Sequence, residues 1–132
     1  MSVIELSKND FSYMNIQRLV NSRSDFIVNK GITIVKFYSP NCIYCIKTQP
    51  AYEELAKEMK NNTTELINVA QFNCNDNSEI MDNSSKILFG FQVEGYPTFA
   101  IYVDGLFFEL YNGDRDTNSM KSFLLMVASK LK

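Results

Sequence analysis

The spacing of apolar residues changes period several times along the chain, and each change marks an element. Val3–Leu6 is a short apolar stretch that suits an edge strand. From Asp10 to Asn21, Phe11, Met14, Ile16, Leu19 and Val20 recur at mostly helical spacing, which predicts an amphipathic helix. Lys30-Gly31 breaks the pattern, and Ile32-Thr33-Ile34-Val35-Lys36-Phe37-Tyr38 follows as a β-branched and aromatic run of strand character. Pro40 and Asn41 end that strand, and Cys42 opens a helix to about Lys60 whose apolar face is read as Ile43, Ile46, Tyr52, Leu55 and Met59. Pro50 lies inside it, where a ring and a missing N–H predict a kink.

Leu66–Asn73 reads as another strand, and a polar stretch then leads to a helix near Ile80–Phe89. Thr98–Val103 and Leu106–Tyr111 flank Asp104-Gly105, a dipeptide suited to the positive φ angles of a two-residue hairpin. A last amphipathic helix over about Thr117–Leu131 carries Met120, Phe123, Leu124, Val127 and Leu131. The order is β-α-β-α-β-α-β-β-α. It implies an α/β fold: a parallel βαβ unit with right-handed crossover, a closing antiparallel hairpin, and helices on both faces of a mixed sheet.

Length permits one domain, 1–132, with a sizeable core; repeats, low-complexity tracts and Pro/Gly-rich linkers are missing from the sequence. A net charge of −2 with scattered Lys and Arg argues against nucleic acid or an acidic membrane as partner. The longest apolar runs fall short of a bilayer span, and MSVIELSKNDF lacks the charge and apolar core of a signal peptide. A cytoplasmic monomer is the expectation. On that basis the Asn-x-Ser/Thr triplets at Asn61, Asn62 and Asn83 are accidental.

The 3 cysteines and the absence of histidine sharpen the chemistry. Without histidine there is no His-dependent triad and no Cys/His zinc site, and one spare cysteine is too few to complete a zinc tetrahedron. No metal and no organic cofactor is expected. Cys42 and Cys45 are three apart, so on a helix they share a face and can close a disulfide. A cysteine in a first helical turn has its thiolate favoured by unpaired N–H groups and the positive helix end. Cys42 is therefore the expected nucleophile and Cys45 the less exposed resolving thiol. Cys74, at the end of a strand, reads as a small buried hydrophobe.

At these residues the chain resembles the thioredoxin superfamily, in particular the catalytic domains of protein disulfide isomerases. Lys36-Phe37-Tyr38-Ser39-Pro40-Asn41-Cys42-Ile43-Tyr44-Cys45, with Pro50 and Ala51–Lys57 behind, resembles that family's strand, active site and kinked helix. Val93-Glu94-Gly95-Tyr96-Pro97-Thr98-Phe99 is similar to its cis-proline segment, and Tyr111-Asn112-Gly113-Asp114-Arg115 to its penultimate turn. The resemblance implies a thioredoxin-like fold around a central five-stranded mixed sheet. It implies that Pro97 is cis and faces the cysteines, against the alternative of an ordinary trans turn. Ile43, Tyr44 and Tyr96 would then form an apolar rim for a peptide held alongside the sulfur. Arg115 matches an arginine that approaches the site and tunes the resolving cysteine; an exposed arginine capping a turn is the other reading.

Three departures qualify the likeness. Asn41 stands where the family usually has tryptophan, and Ile43-Tyr44 stands where Gly-His or Gly-Pro is common. Loss of that histidine predicts a disulfide less oxidising than an isomerase's. Lys36 takes the place of a buried carboxylate that relays a proton for the second cysteine, and Gln71 aligns with thioredoxin's nearby lysine. Lys36 either serves Cys45 from that position or extends its ammonium to solvent. The function implied is a thiol–disulfide oxidoreductase acting on protein or peptide thiols and disulfides, reset by an unidentified reductant or reductase. A peptide-binding module with little turnover and a redox sensor are the alternatives.

Overall fold

The structure, a computed structural model, describes residues 3–11, 31–61, 66–81 and 85–131. Five strands, β1 (Ile4–Leu6), β2 (Ile32–Tyr38), β3 (Ile67–Asn73), β4 (Thr98–Val103) and β5 (Leu106–Tyr111), form one mixed sheet in the order β1-β3-β2-β4-β5. β1 and β2 run parallel to β3, whereas β4 is antiparallel to both β2 and β5. The helices are α1 (Ile43–Lys60), α2 (Ser85–Phe89) and α3 (Thr117–Lys130). The helix expected over Asp10–Asn21 lies outside the described residues beyond Phe11, although 8–11 are helical.

Alternation along the strands divides the core in two. Ile32, Ile34, Ile67, Val69, Phe99 and Ile101 point to the face covered by α1 and α3. Val35, Phe37, Ala70, Phe72, Ala100 and Tyr102 point the other way and pack with Phe11, Phe89 and Phe91. Both faces are covered, so the central strands read as nearly continuous apolar runs. Lys36 interrupts the first set and is fully buried, at 0% exposure.

The hairpin closes as its sequence implies. Asp104 and Gly105 both take positive φ, 49° and 85°, which matches the twist of the flanking strands. Asp104 also fastens the start of β2: its carboxylate accepts from Gly31 N at 2.7 Å, and its own N–H donates to Gly31 O at 2.8 Å.

Three helix expectations need correction. Cys42 does not sit inside α1 but caps it, with extended φ −86° and ψ 119°. Ile43 and Ile46 leave the buried face, being 56% and 55% exposed; in the first turn of α1 it is Cys45 that turns inward, with the carbonyl of Cys45 held by Lys36. Cys45, Tyr52, Leu55, Ala56 and Met59 are the buried residues of this helix. Near Ile80–Phe89 the described residues form two pieces and not one helix: Ser78–Ile80 is a 3-10 turn that Met81 caps, and Ser85–Phe89 is α2, with 82–84 outside the described residues. Leu131, placed on the apolar face of the last helix, is the exposed C-cap of α3. Among the described residues, no helix is long and apolar enough to cross a membrane.

Candidate active site

β2 delivers the chain to the top of the sheet, and a turn at Ser39–Asn41 redirects it into α1, leaving Cys42 at the helix mouth. Cys42 N donates to Ser39 O at 3.1 Å, and the Cys42 sulfur accepts from Cys45 N at 3.2 Å. The side chain thus does what a serine or aspartate does at an N-cap: it satisfies one of the unpaired amides of the first turn. Cys45 lies one turn behind at 3% exposure, and the three cysteines are free thiols.

The Tyr96–Pro97 peptide bond is cis. It brings Tyr96 O to 3.5 Å from the Cys42 sulfur, which donates to it. Ile43, Tyr44 and Tyr96 surround Cys42 as exposed apolar side chains, at 56%, 60% and 39% exposure. Beside Pro97 a cleft of about 570 Å³ is lined by Phe91, Glu94, Tyr96, Leu110 and Arg115 among others. Arg115 is exposed, and its guanidinium lies 5.8 Å from the Phe99 ring. It thus meets a ring at the edge of the cleft, and its charge reaches the site through Lys36.

These surroundings separate the two thiols. Burial alone would raise Cys42, but hydrogen bonds from Cys45 and Tyr44 and the charge of Lys36 outweigh it, and Cys42 titrates below the usual thiol range. Cys45 is pushed up to about 11, first by burial and then by its hydrogen bond to Cys42. Cys74 is raised to about 12 by burial among the phenylalanines, against a hydrogen bond with the Tyr96 side chain. Alkylation with iodoacetamide near neutral pH is therefore expected to label Cys42 first, with Cys45 and Cys74 slower by more than about tenfold. Peptide mass mapping of a time course checks this; equal labelling of all three would contradict the assignment.

Lys36 does not extend to solvent. Its Nζ donates to Cys45 O and to Gln49 Oε1, each at 2.7 Å, and lies 5.6 Å from the Tyr52 ring centroid. Gln49 Nε2 donates to Gln71 Oε1 at 3.1 Å, and Gln71 Nε2 donates to Glu5 Oε1 at 2.9 Å. Strand register explains the string: Glu5, Gln71, Lys36 and Phe99 are successive partners across four strands. Sequence reasoning named Lys36 and Gln71 but missed Gln49, Glu5 and the Tyr96–Cys74 contact. Gln49 was within reach, since it follows Cys45 by one helical turn. Glu5 was not, because nothing local sets the register of β1. Among the described residues, no group of three His, Cys, Asp or Glu could hold a metal ion.

Comparisons with known proteins agree with this geometry. A family model described as Thioredoxin matches residues 15–126. The chain is 29% identical over 123 residues to a thioredoxin domain-containing protein 5 homolog of Drosophila melanogaster, covering 91% of the chain and 27% of that relative. It is 31% identical over 114 residues to the protein disulfide-isomerase of Saccharomyces cerevisiae, covering 83% and 20% respectively. The chain therefore spans only about a quarter of the length of these relatives. Among solved structures, the J-Trx1 fragment of ERdj5 superposes with TM-score 0.67 at 26% identity, over 95% of the chain and 51% of that fragment. The first thioredoxin domain of mouse protein disulfide-isomerase A4 gives 0.65 at 25%, over 96% and 75%.

Proposed function

The chain belongs to the thioredoxin family, and from that premise we propose that it exchanges disulfides with protein substrates through Cys42 and Cys45. The observation that carries this reading is the asymmetry of the pair. A half-exposed sulfur with a lowered pKa sits at a helix N-terminus against a cis-proline loop, and a buried thiol with a raised pKa stands one turn behind.

In the reducing direction, the Cys42 thiolate attacks one sulfur of a substrate disulfide and the other leaves as a thiolate. A mixed disulfide joins Cys42 to the substrate. Cys45 then loses its proton and attacks the Cys42 sulfur, closing the internal bridge and releasing the substrate reduced. Oxidation of a substrate is the same path reversed. Ile43, Tyr44 and Tyr96 shield the reacting sulfurs and hold an apolar segment of substrate, and the backbone at Tyr96 lies beside the extended chain. Arg115, in the neighbouring cleft, acts on the pair only through its charge, which bears on Lys36. The yeast and mouse relatives named as protein disulfide-isomerases support exchange chemistry of this class.

Equilibration with reduced and oxidised glutathione, read by thiol counting and mass spectrometry, tests the proposal. The expected result is a reversible loss of two thiols and a bridge mapped to Cys42 and Cys45, together with catalysed reduction of insulin. A protein that binds peptides but never forms that bridge would be a binding module instead.

A further inference from the structure

Lys36 is a full-length cation with no solvent exposure, and the exchange steps above make no use of it. Its nitrogen has two acceptors, a carbonyl and an amide oxygen, both neutral. No carboxylate among the described residues lies within ion-pair distance of it, the recorded pairs being Lys8–Glu79 and Lys121–Glu58. A buried charge without a counter-charge is unstable relative to its neutral form unless something balances it. The groups placed to do so are the thiols, since Nζ is held against the carbonyl of Cys45.

We propose that Lys36 couples proton release to disulfide closure: its ammonium is retained behind the reduced pair, balanced by the Cys42 thiolate, and loses a proton when the two sulfurs join. The idea rests on the exchange reaction proposed above and adds the proton that reaction needs. In the reduced state the site holds a Cys42 thiolate, a Cys45 thiol and a Lys36 ammonium, with no net charge. Reduction of a substrate disulfide forms the Cys42–Cys45 bond, breaks the substrate S–S bond and moves two electrons to the substrate. The two departing sulfurs take two protons, one from Cys45 and one from Lys36, and the site is left with a disulfide and a neutral amine. Charge and protons balance without a proton drawn from solvent.

The polar string fits this role. Gln49 turns its oxygen to Lys36 because its Nε2 is engaged by Gln71, whose own Nε2 is engaged by the Glu5 carboxylate. The amides are therefore aligned with an acceptor inward and a negative charge at the outer end, which favours an ammonium while the thiolate is present. Glu53 also favours the ammonium, and Arg115 disfavours it. From β4 the neighbour is Phe99, and from α1 the Tyr52 ring, whose hydroxyl is occupied by Ile34 O and Ala70 O. Burial is the largest influence and lowers Lys36 to about 8 in the thiol form, with Cys45 and Cys42 as the main influences raising it. Oxidation removes the two largest influences opposing burial and leaves only Glu53 and the polar string on that side. Lys36 stands behind the carbonyl of Cys45 and acts on the pair through its charge and the proton it releases.

The test is an NMR titration of the Lys36 side chain in the intact chain, reduced and oxidised, with the signal identified by its loss in Lys36→Met or by sequential assignment. The expected midpoint is about 8 in the reduced protein and lower by about one pH unit or more after oxidation. By linkage, Lys36→Met then raises the midpoint for Cys42 alkylation, an effect that lost packing alone would not produce. The same midpoint in both redox states, or one near the free-lysine value in both, overturns the proposal while leaving disulfide exchange intact. If glutathione forms no Cys42–Cys45 bridge at all, it is the exchange reading that fails, and this inference with it.

Discussion

Replacing Cys42 by serine is expected to lower insulin reduction by about three orders of magnitude or more, as loss of a sole nucleophile does. Replacing Cys45 by serine should instead stop the reaction half-way. The reason lies in access. Cys45 is 3% exposed and titrates near 11, so in Cys42→Ser it neither meets a protein disulfide nor carries the negative charge to attack one. Cys74 is buried among aromatic rings and raised further, and it cannot substitute. Cys42 keeps its thiolate stabilisation in Cys45→Ser, because the serine hydroxyl can donate where the Cys45 thiol did and the backbone amide of residue 45 stays in place. That variant should attack normally and accumulate a mixed disulfide, visible as a covalent adduct on non-reducing gels and resolved only by added thiol. A Cys42→Ser protein retaining a tenth of wild-type turnover would remove Cys42 from its role.

The second large effect concerns the platform under the site. Phe37→Ala is expected to cost about 3–5 kcal/mol, a large share of the roughly 5–15 kcal/mol that holds a domain folded. Phe37 is fully buried, and its ring centroid lies 5.8 Å from Phe11, 5.8 Å from Phe72, 4.8 Å from Phe89 and 5.3 Å from Phe91. Rings contributed by separate elements cannot all close on the vacancy, so most of the cavity should persist. Urea unfolding measures the change, with Ile43→Ala as a surface control expected within about 0.5 kcal/mol of wild type. A loss below about 1 kcal/mol would show that the aromatic layer collapses into the space. Because Phe37 sits between Lys36 and Tyr38 in β2, some loss of exchange rate should accompany the loss of stability.

Much of the molecule was legible from pattern alone. The β-branched run at Ile32–Tyr38 has no other comfortable state, and Asp104-Gly105 supplies the backbone angles a two-residue hairpin requires. The closeness of Cys42 to Cys45 followed from helical spacing, and the deeper burial of Cys45 from its place one turn behind. Where the reading failed, a local rule met a global fact. Ile43 and Ile46 looked like core because period was the only guide, and period cannot show which side of the first turn the sheet will cover; that side carries Cys45. Ile80–Phe89 looked continuous because its apolar residues suit one helix, whereas the 3-10 turn at Ser78–Ile80 is already capped at Met81.

By itself, then, the sequence determined the strands, the long helices α1 and α3, the hairpin and the placing of Cys42 and Cys45 one turn apart, since each depends on neighbours within a few residues. The tertiary structure decided what surrounds that pair. It brought Tyr96 O to the Cys42 sulfur from 54 residues away, and it aligned Glu5, Gln71 and Lys36 across three strands. It also decided whether Lys36 reaches water or the back of the thiols, because the length and flexibility of a lysine allow both. Register and burial, fixed only when the sheet assembles and α1 closes over it, select the second.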